Sequence, residues 1–298
     1  MNISILGKGA WGLAIGELLK TQGHSVEWLD KGSSQISVGS GMIIIALPTQ
    51  VVREVLRSVT IKSSKTPVIS LSKGIDIQTG QRISQMVAVR WPEAPFVALS
   101  GPSLAGEIRN KVPTAMVAAS LSDDWANQVQ QIFHGPFLRV YRSRDLSGVE
   151  WGGALKNIYA LAAGLCAGLG LGENSLAGLV TRSLREMTRI AVHFGAQEET
   201  LHGLSGMGDL VLTSYSRASR NRRVGERLGA GDSLSKALAS VEGICEGVPS
   251  TEALHLLLQS QTIQAPVAEE LYQVLFKEKP PKQALLSLLS RNPKEERE

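Results

Sequence analysis

Cysteine is scarce: the 298-residue chain holds only Cys166 and Cys245. Two thiols cannot build a disulfide framework or a four-cysteine zinc site, and their small or apolar neighbours favour reduced side chains. No His, Cys and Asp cluster has ligand spacing, so no metal is expected. Charge of one sign is also lacking, with 31 Lys and Arg against 27 Asp and Glu, a net +4. Nucleic acid is therefore not an expected partner. Basic residues gather once, at Arg217, Arg220, Arg222 and Arg223, a patch suited to a small phosphorylated ligand. No long hydrophobic run is present. The uncharged stretch 157–172 carries Gly164, Gly168, Gly170 and Gly172, which makes it short and weak for a membrane span and better as a packed core helix. Met1-Asn2-Ile3-Ser4 lacks the basic start and apolar stretch of a secretory signal, so a cytoplasmic location is expected. Internal repeats and low-complexity tracts are absent.

What remains is ordinary globular composition, 43% hydrophobic and 19% charged, with mean hydropathy +0.03 and length for about two domains. The first half alternates apolar strand-like runs with helical stretches: strands at 3–6, 25–29, 42–47, 67–71 and 96–100, helices at 10–21 and 50–58. Continuous apolar strands between helices predict a parallel sheet buried on both faces. Segments 115–119 and 137–141 are further strands that extend one edge. After about residue 147 the periodicity is helical, with helices predicted at 149–170, 174–195, 199–204, 219–229, 232–240, 250–259, 266–276 and 281–289. The organisation is an α/β domain at 1–147 followed by an all-α domain at 148–298.

Gly7-Lys8-Gly9-Ala10-Trp11-Gly12 reads G-x-G-x-x-G directly after the first strand and opens the first helix. Gly7 permits a tight turn, Gly9 lets backbone approach a pyrophosphate, and Gly12 allows the helix to pack closely on the strand. The helix N-terminus then receives the anion. Asp30, about 20 residues on, would accept hydrogen bonds from a ribose diol. Its neighbour Lys31 would attract a 2′-phosphate, so NAD and NADP both stay open. Lys73 follows a buried strand and points either into the ligand crevice or into solvent. The Gly101-Pro102-Ser103 turn offers a hydroxyl and amides to a substrate, or is turn chemistry alone. In the second half, Gly152 and Gly153 lie one turn before Lys156, so another surface can come close to that ammonium. Burial there would lower its pKa towards proton-transfer range; a snorkelling surface Lys is the other reading. Asp209 is either a helix cap or a charge partner for a Lys. Ser219-Arg220-Asn221 combines hydroxyl, guanidinium and amide, chemistry suited to phosphate, although a solvated charged face fits equally. Spacing gives Glu246 no role.

These blocks, in order GKGAWG, LSKG, SGPSLAGEI, GGALKNIYALAAG, GMGDLVLT, SRNRRVGERL and EGVPST, resemble the bacterial-type NAD(P)-dependent glycerol-3-phosphate dehydrogenases over nearly the whole chain. The resemblance implies a Rossmann-like first domain and reversible hydride transfer between NAD(P)H and dihydroxyacetone phosphate, giving sn-glycerol 3-phosphate for phospholipid synthesis. It implies that Gly7, Gly9, Ala10, Trp11, Gly12, Lys31, Lys73, Ala105, Arg220, Ile244 and Glu246 contact the cofactor. Lys73, Gly101, Ser103, Lys156, Asn157, Asp209, Ser219, Arg220 and Asn221 would contact substrate, with Lys156 as proton acceptor and Lys73 and Asp209 beside it in catalysis. One departure stands out: the interval between Asp30 and Met42 is shorter than in most of the family, which shortens the sheet and puts the adenosine-end contacts in question. A hydroxyacid or ketopantoate-type reductase is the competing enzyme, and a non-catalytic NAD(P) sensor the competing non-enzyme. The apolar helical half could support a homodimer.

Overall fold

The computed structural model describes residues 1–29, 36–38, 41–293 and 295–296. Along the chain the strands are β1 (Asn2–Leu6), β2 (Ser25–Leu29), β3 (Ile36–Val38), β4 (Met42–Ile45), β5 (Val59–Ile61), β6 (Val68–Ser70), β7 (Phe96–Ser100), β8 (Thr114–Ala119) and β9 (Leu138–Ser143). Among the described residues one sheet runs in the order β2-β1-β4-β6-β7-β8-β9, while β3 and β5 form a separate parallel pair. The helices of this half are α1 (Ala10–Thr21), α2 (Thr49–Ser58), α3 (Ile83–Arg90), α4 (Ala105–Arg109) and α5 (Asp123–Phe133).

Both faces of the sheet are covered, which is why its inner strands read as unbroken apolar runs rather than alternating ones. Met42 and Ile44 of β4 join Ile3, Ile5, Ile69 and Val97 under α1 and α5. Ile43 and Ile45 face the opposite way, into Val52 and Leu56 of α2 and Ile83, Met86 and Val87 of α3. The five strands expected to form a parallel sheet do so, and of the two added at its edge β8 runs antiparallel to β7. Between them the chain forms only α4, which packs against α1. The chain therefore re-enters the sheet from the end at which it left. Strand β9 is parallel to β8 and completes the edge.

The remainder is helical: α6 (Leu146–Gly168), α7 (Gly172–His193), α8 (Glu198–Leu201), a π-helical turn (Leu204–Gly208), α9 (Asp209–Tyr215), α10 (Arg220–Gly229), α11 (Leu234–Ala239), α12 (Gly247–Leu258), α13 (Pro266–Phe276) and α14 (Pro281–Leu289). Helix α6 is buried all round from Trp151 to Gly164, the signature of a central helix. Its start is fixed by Asp145, whose Oδ1 accepts from Gly148 N at 2.8 Å while Oδ2 accepts from Gln197 N at 2.8 Å. Glu186 of α7 accepts from Val267 N and Ala268 N at 3.0 and 2.9 Å and so caps α13. Among the described residues no helix is long and apolar enough to cross a membrane.

Candidate active site

The glycine-rich loop after β1 adopts the geometry its residues permit. Gly7 has φ +107°, a conformation side chains rarely tolerate. A Cβ on Gly12 would lie 2.1 Å from the Gly7 carbonyl oxygen, so only glycine lets α1 pack this close to β1. Nothing lies within 4 Å of a Cβ built on Gly9, and no side chain caps the first turn of α1. That leaves an open helix N-terminus with free amides and no acidic residue, which fits a pyrophosphate. Ala10 is exposed and Trp11 half-buried at its rim. Ala105, at the start of α4, is partly exposed on the helix that packs against α1. Lys31, together with Asp30, lies outside the described residues.

The other expected residues meet at the carboxyl ends of β4, β6 and β7, where the helical half docks. Lys73 follows β6, and its Nζ donates to Asp209 Oδ2 at 2.6 Å and to Gly101 O at 3.1 Å. Lys156, on α6, donates from Nζ to Asp209 Oδ1 at 3.0 Å and to Thr213 Oγ1 at 2.9 Å. One carboxylate thus holds two ammonium groups drawn from the two halves of the molecule. The glycines preceding Lys156 make this approach possible. A Cβ on Gly152 would sit 2.6 Å from Ser205 O in the π-helical turn, and one on Gly153 would sit 3.0 Å from Ser100 Oγ and 3.3 Å from Lys73 Cγ. The π-helical turn in turn delivers Asp209 to the first position of α9, where its side chain makes no capping bond.

Lys156 is 8% exposed, which decides against a snorkelling surface lysine. Burial lowers its pKa to about 8, with the neighbouring Asp209 opposing that shift and Lys73 adding to it. Burial also disfavours the Asp209 carboxylate, but Lys156 and Lys73 outweigh it and hold that carboxyl below the usual carboxylate range. Each ammonium has three N–H groups and uses two on the contacts above, so one on each stays uncommitted among the described residues.

A buried amide chain runs beneath this cluster. Asn157 Nδ2 donates to Lys73 O at 3.2 Å, and its Oδ1 accepts from Asn221 Nδ2 at 2.8 Å. Asn221 Oδ1 accepts from Gly247 N at 2.9 Å and from the Cys245 thiol at 3.1 Å. Burial pushes that thiol up to about 11, so it stays protonated. Asn221 therefore directs most of its amide inward. Ser219 Oγ caps α10 by accepting from Arg222 N at 3.2 Å. Arg220 is exposed and lies against Gly243, while Arg222 turns away to Glu226 and the Tyr215 carbonyl. The four-arginine patch is thus divided, with Arg217 and Arg220 open to solvent. Ser103 Oγ donates to Gly101 O at 2.8 Å, inside its own turn, and Gly101 has φ +132°. Ile244 is exposed beside Gly243. Glu246 Oε1 accepts from Thr49 N at 3.0 Å, a contact across the two halves that spacing could not foretell.

Sequence reasoning missed Thr213 and Thr49. Thr213 was within reach of it: four residues after Asp209 on a helix, it shares that residue's face. Thr49 carries no local signal, because its partner lies in the other half of the chain.

A nucleotide-binding sheet, an open glycine loop and a buried lysine pair at the strand ends define a nicotinamide-dependent oxidoreductase. The model for the N-terminal part of NAD-dependent glycerol-3-phosphate dehydrogenase matches residues 33–126, and that for the C-terminal part matches residues 145–286. The chain belongs to the NAD-dependent glycerol-3-phosphate dehydrogenase family. It is 38% identical to glycerol-3-phosphate dehydrogenase [NAD(P)+] of Geobacter sp. strain M21, over 99% of this chain and 98% of that one. Identity is 37% to the protein of the same name from Chlorobium phaeobacteroides strain BS1, over 99% of both. The solved glycerol-3-phosphate dehydrogenase of Coxiella burnetii superposes with a TM-score of 0.91 at 32% identity, covering 97% of this chain and 99% of that one.

Proposed function

We propose that the chain interconverts dihydroxyacetone phosphate and sn-glycerol 3-phosphate with NAD(P)(H), and thereby supplies glycerol 3-phosphate for phospholipid synthesis. The observation that carries this reading is the buried Lys156–Asp209–Lys73 cluster beside the nucleotide-binding strand ends. When bound, the dinucleotide supplies or accepts the hydride. The chain's own residues manage charge, protons and position. As the ketone is reduced, negative charge builds on its oxygen, and the free N–H of Lys156 is placed to stabilise that charge and deliver the proton. Lys73 adds a second positive charge from the opposite wall. In the oxidative direction neutral Lys156 accepts the hydroxyl proton. Asp209 keeps both ammonium groups in register but touches neither reacting atom.

The phosphate is assigned to the start of α10, where the helix N-terminus, Arg220, Ser219 and the remaining N–H of Asn221 converge. Binding energy there, remote from the reacting carbon, positions the carbonyl. Gly101 and Ser103 border the same space, and Asn157 acts through the backbone of Lys73. On the cofactor side, Gly7, Gly9, Ala10, Trp11 and Gly12 take the pyrophosphate end, with Ala105, Ile244 and Glu246 lining the path. A division into 1–147 and 148–298 is part of this reading; its boundary falls two residues inside α6, which begins at Leu146 just after the break that follows β9. A cytoplasmic homodimer is the setting inferred from composition and from the apolar helical half.

The test is oxidation of NADH and of NADPH, side by side, with dihydroxyacetone phosphate and with a carboxylated keto acid. Turnover confined to the phosphorylated substrate, with an apparent KM raised about tenfold or more by Arg220→Ala, supports the assignment. Turnover of the keto acid alone moves the chain to the ketopantoate-type reductases. Tight dinucleotide binding without turnover of either makes it a sensor.

A further inference from the structure

The ladder between β4 and β6 gives way to a side chain just before Lys73. The two strands run parallel with Ile45 opposite Ser70, and their backbone bonds reach as far as Leu71 N to Ile45 O, at 2.8 Å. In a continuing parallel ladder Leu47 would next give its N–H to the carbonyl of residue 71 and take the N–H of residue 73. One hydroxyl fills both places. Leu47 N donates to Ser72 Oγ at 3.2 Å, and that hydroxyl donates to Leu47 O at 2.6 Å. Ser72 is itself pinned from behind: its N–H donates to Ser70 Oγ at 3.2 Å, and the Ser70 hydroxyl donates to Ser72 O at 3.4 Å.

A strand that kept its backbone rungs would carry residue 73 onward beside β4, in the plane of the sheet. With a hydroxyl standing in for them, the chain turns at Lys73 without losing its hold on β4. Lys73 thereby reaches the helical half, where its carbonyl accepts from Asn157 Nδ2 at 3.2 Å and its Nζ meets Asp209. Asn157 and Asp209 pull on Lys73 from that half, and Ser72 holds it from the sheet. We propose that Ser72 is a positioning residue for the reaction: its hydroxyl fixes the point at which the strand end releases the chain, and so keeps the Lys73 ammonium against Asp209 and beside Lys156. The inference rests on the reading above that Lys73 supplies positive charge at the reacting ketone. Ser72 acts through the backbone of its neighbour, which is why no charge or motif marks it. Without the hydroxyl, the strand end loses its fixed spacing from β4 and the ammonium samples positions farther from Lys156.

Lys156 reports on that position. The charged groups facing it are Asp209, Lys73 and Arg220, and the Lys73 charge contributes to lowering its pKa. A Lys73 held less closely lets that pKa rise. Steady-state kinetics with dihydroxyacetone phosphate and a reduced nicotinamide dinucleotide, across a pH series, are compared for the unmodified chain, Ser72→Ala, Ser72→Thr, Lys73→Met and Ser72→Ala combined with Lys73→Met. Ser72→Ala is expected to lower kcat about tenfold and to move the inflection up by about half a unit, towards the position set by Lys73→Met. Ser72→Thr keeps the hydroxyl and restores both. In the Lys73→Met background Ser72→Ala costs little further, because the group it positions is gone. Ser72→Cys, a weaker donor on the same frame, falls between Ser72→Ala and Ser72→Thr and replaces the alanine variant should that one not fold. The proposal is overturned if Ser72→Ala leaves the inflection where it was, if it costs the same factor in the Lys73→Met background, or if Ser72→Thr restores neither quantity. Unchanged turnover of Lys73→Met overturns the role of Lys73 itself, a separate result.

Discussion

Lys156 owes its chemistry to the disagreement between its surroundings. Burial disfavours the ammonium, Asp209 favours it, and the balance leaves a pKa of about 8 rather than the usual 10.5. The sign follows directly. Below that pH the group carries the proton that ketone reduction needs, and above it the group is the free base that alcohol oxidation needs. Turnover in the reductive direction should therefore fall as pH rises through about 8, and turnover in the oxidative direction should rise over the same range. Lys156→Arg, a cation that stays protonated, should remove the inflection and depress oxidation most. Lys156→Ala should lower turnover about 10³-fold or more in both directions, with calorimetric NAD+ binding unchanged. At this scale the sequence was informative where neighbours in space were neighbours in the chain. The glycines one turn before Lys156 already indicated that something would press close. That the close surface was Lys73 and Ser205 depended on folding together segments that no local pattern links.

At the scale of elements, the decisive contact is between α6 and α10. A Cβ on Gly164 would lie 2.0 Å from Arg222 O, and one on Gly225 would lie 2.1 Å from Leu161 O, so these backbones touch. The seam sets the distance from Lys156 on one helix to the Ser219–Asn221 start of the other. Gly164→Ala must push α10 outward. The expected cost is about 1–3 kcal/mol of stability, read by denaturant unfolding. A rise of about tenfold in KM for dihydroxyacetone phosphate should accompany it, because a small displacement at the phosphate misplaces the carbonyl. The strands were legible because apolar runs buried on both faces leave little ambiguity, and β2 and β7 match their expected limits. Helices α13 and α14 also match, each opened by a proline in its first turn. Helix α5 escaped notice although its signals are present: Ser122 caps it and Asp123 and Asp124 occupy its first turn. The reversal of β8 was not legible, because direction within a sheet depends on where α4 packs rather than on the strand's own residues. Asp209 read equally well as a cap, since a carboxylate between glycines and an apolar run suits either role; only the π-helical turn before it settles which way it faces.

For the molecule as a whole, the positive charge is concentrated where a phosphorylated substrate must enter. Lys73 and Lys156 flank the Asp209 carboxylate and Arg220 lies near enough to act on Lys156, on a chain whose net charge is only +4. Such a crevice attracts a dianion over a distance comparable to the Debye length, about 10 Å at 0.1 M salt. Raising ionic strength should increase KM for dihydroxyacetone phosphate several-fold while kcat changes much less, because the lysine pair is buried and poorly screened. Steady-state kinetics across a sodium chloride series checks this; an equal fall in both parameters would point instead to a loosened structure. The two halves are tied at further points, including Arg82 of the α/β half with Glu150 of α6, at 2.8 Å. The charged crevice and the seam between the halves are therefore one region.

Asp209 and Lys156 both stand on the helical half, so within this cluster the ion pair that bridges the two walls is Lys73 with Asp209. Once Lys156 gives up its proton, Asp209 keeps Lys73 as its charged partner and Lys73 loses a like-charged neighbour. The proton that completes the alcohol would therefore leave the tie between the walls standing, and strengthen it, instead of releasing it.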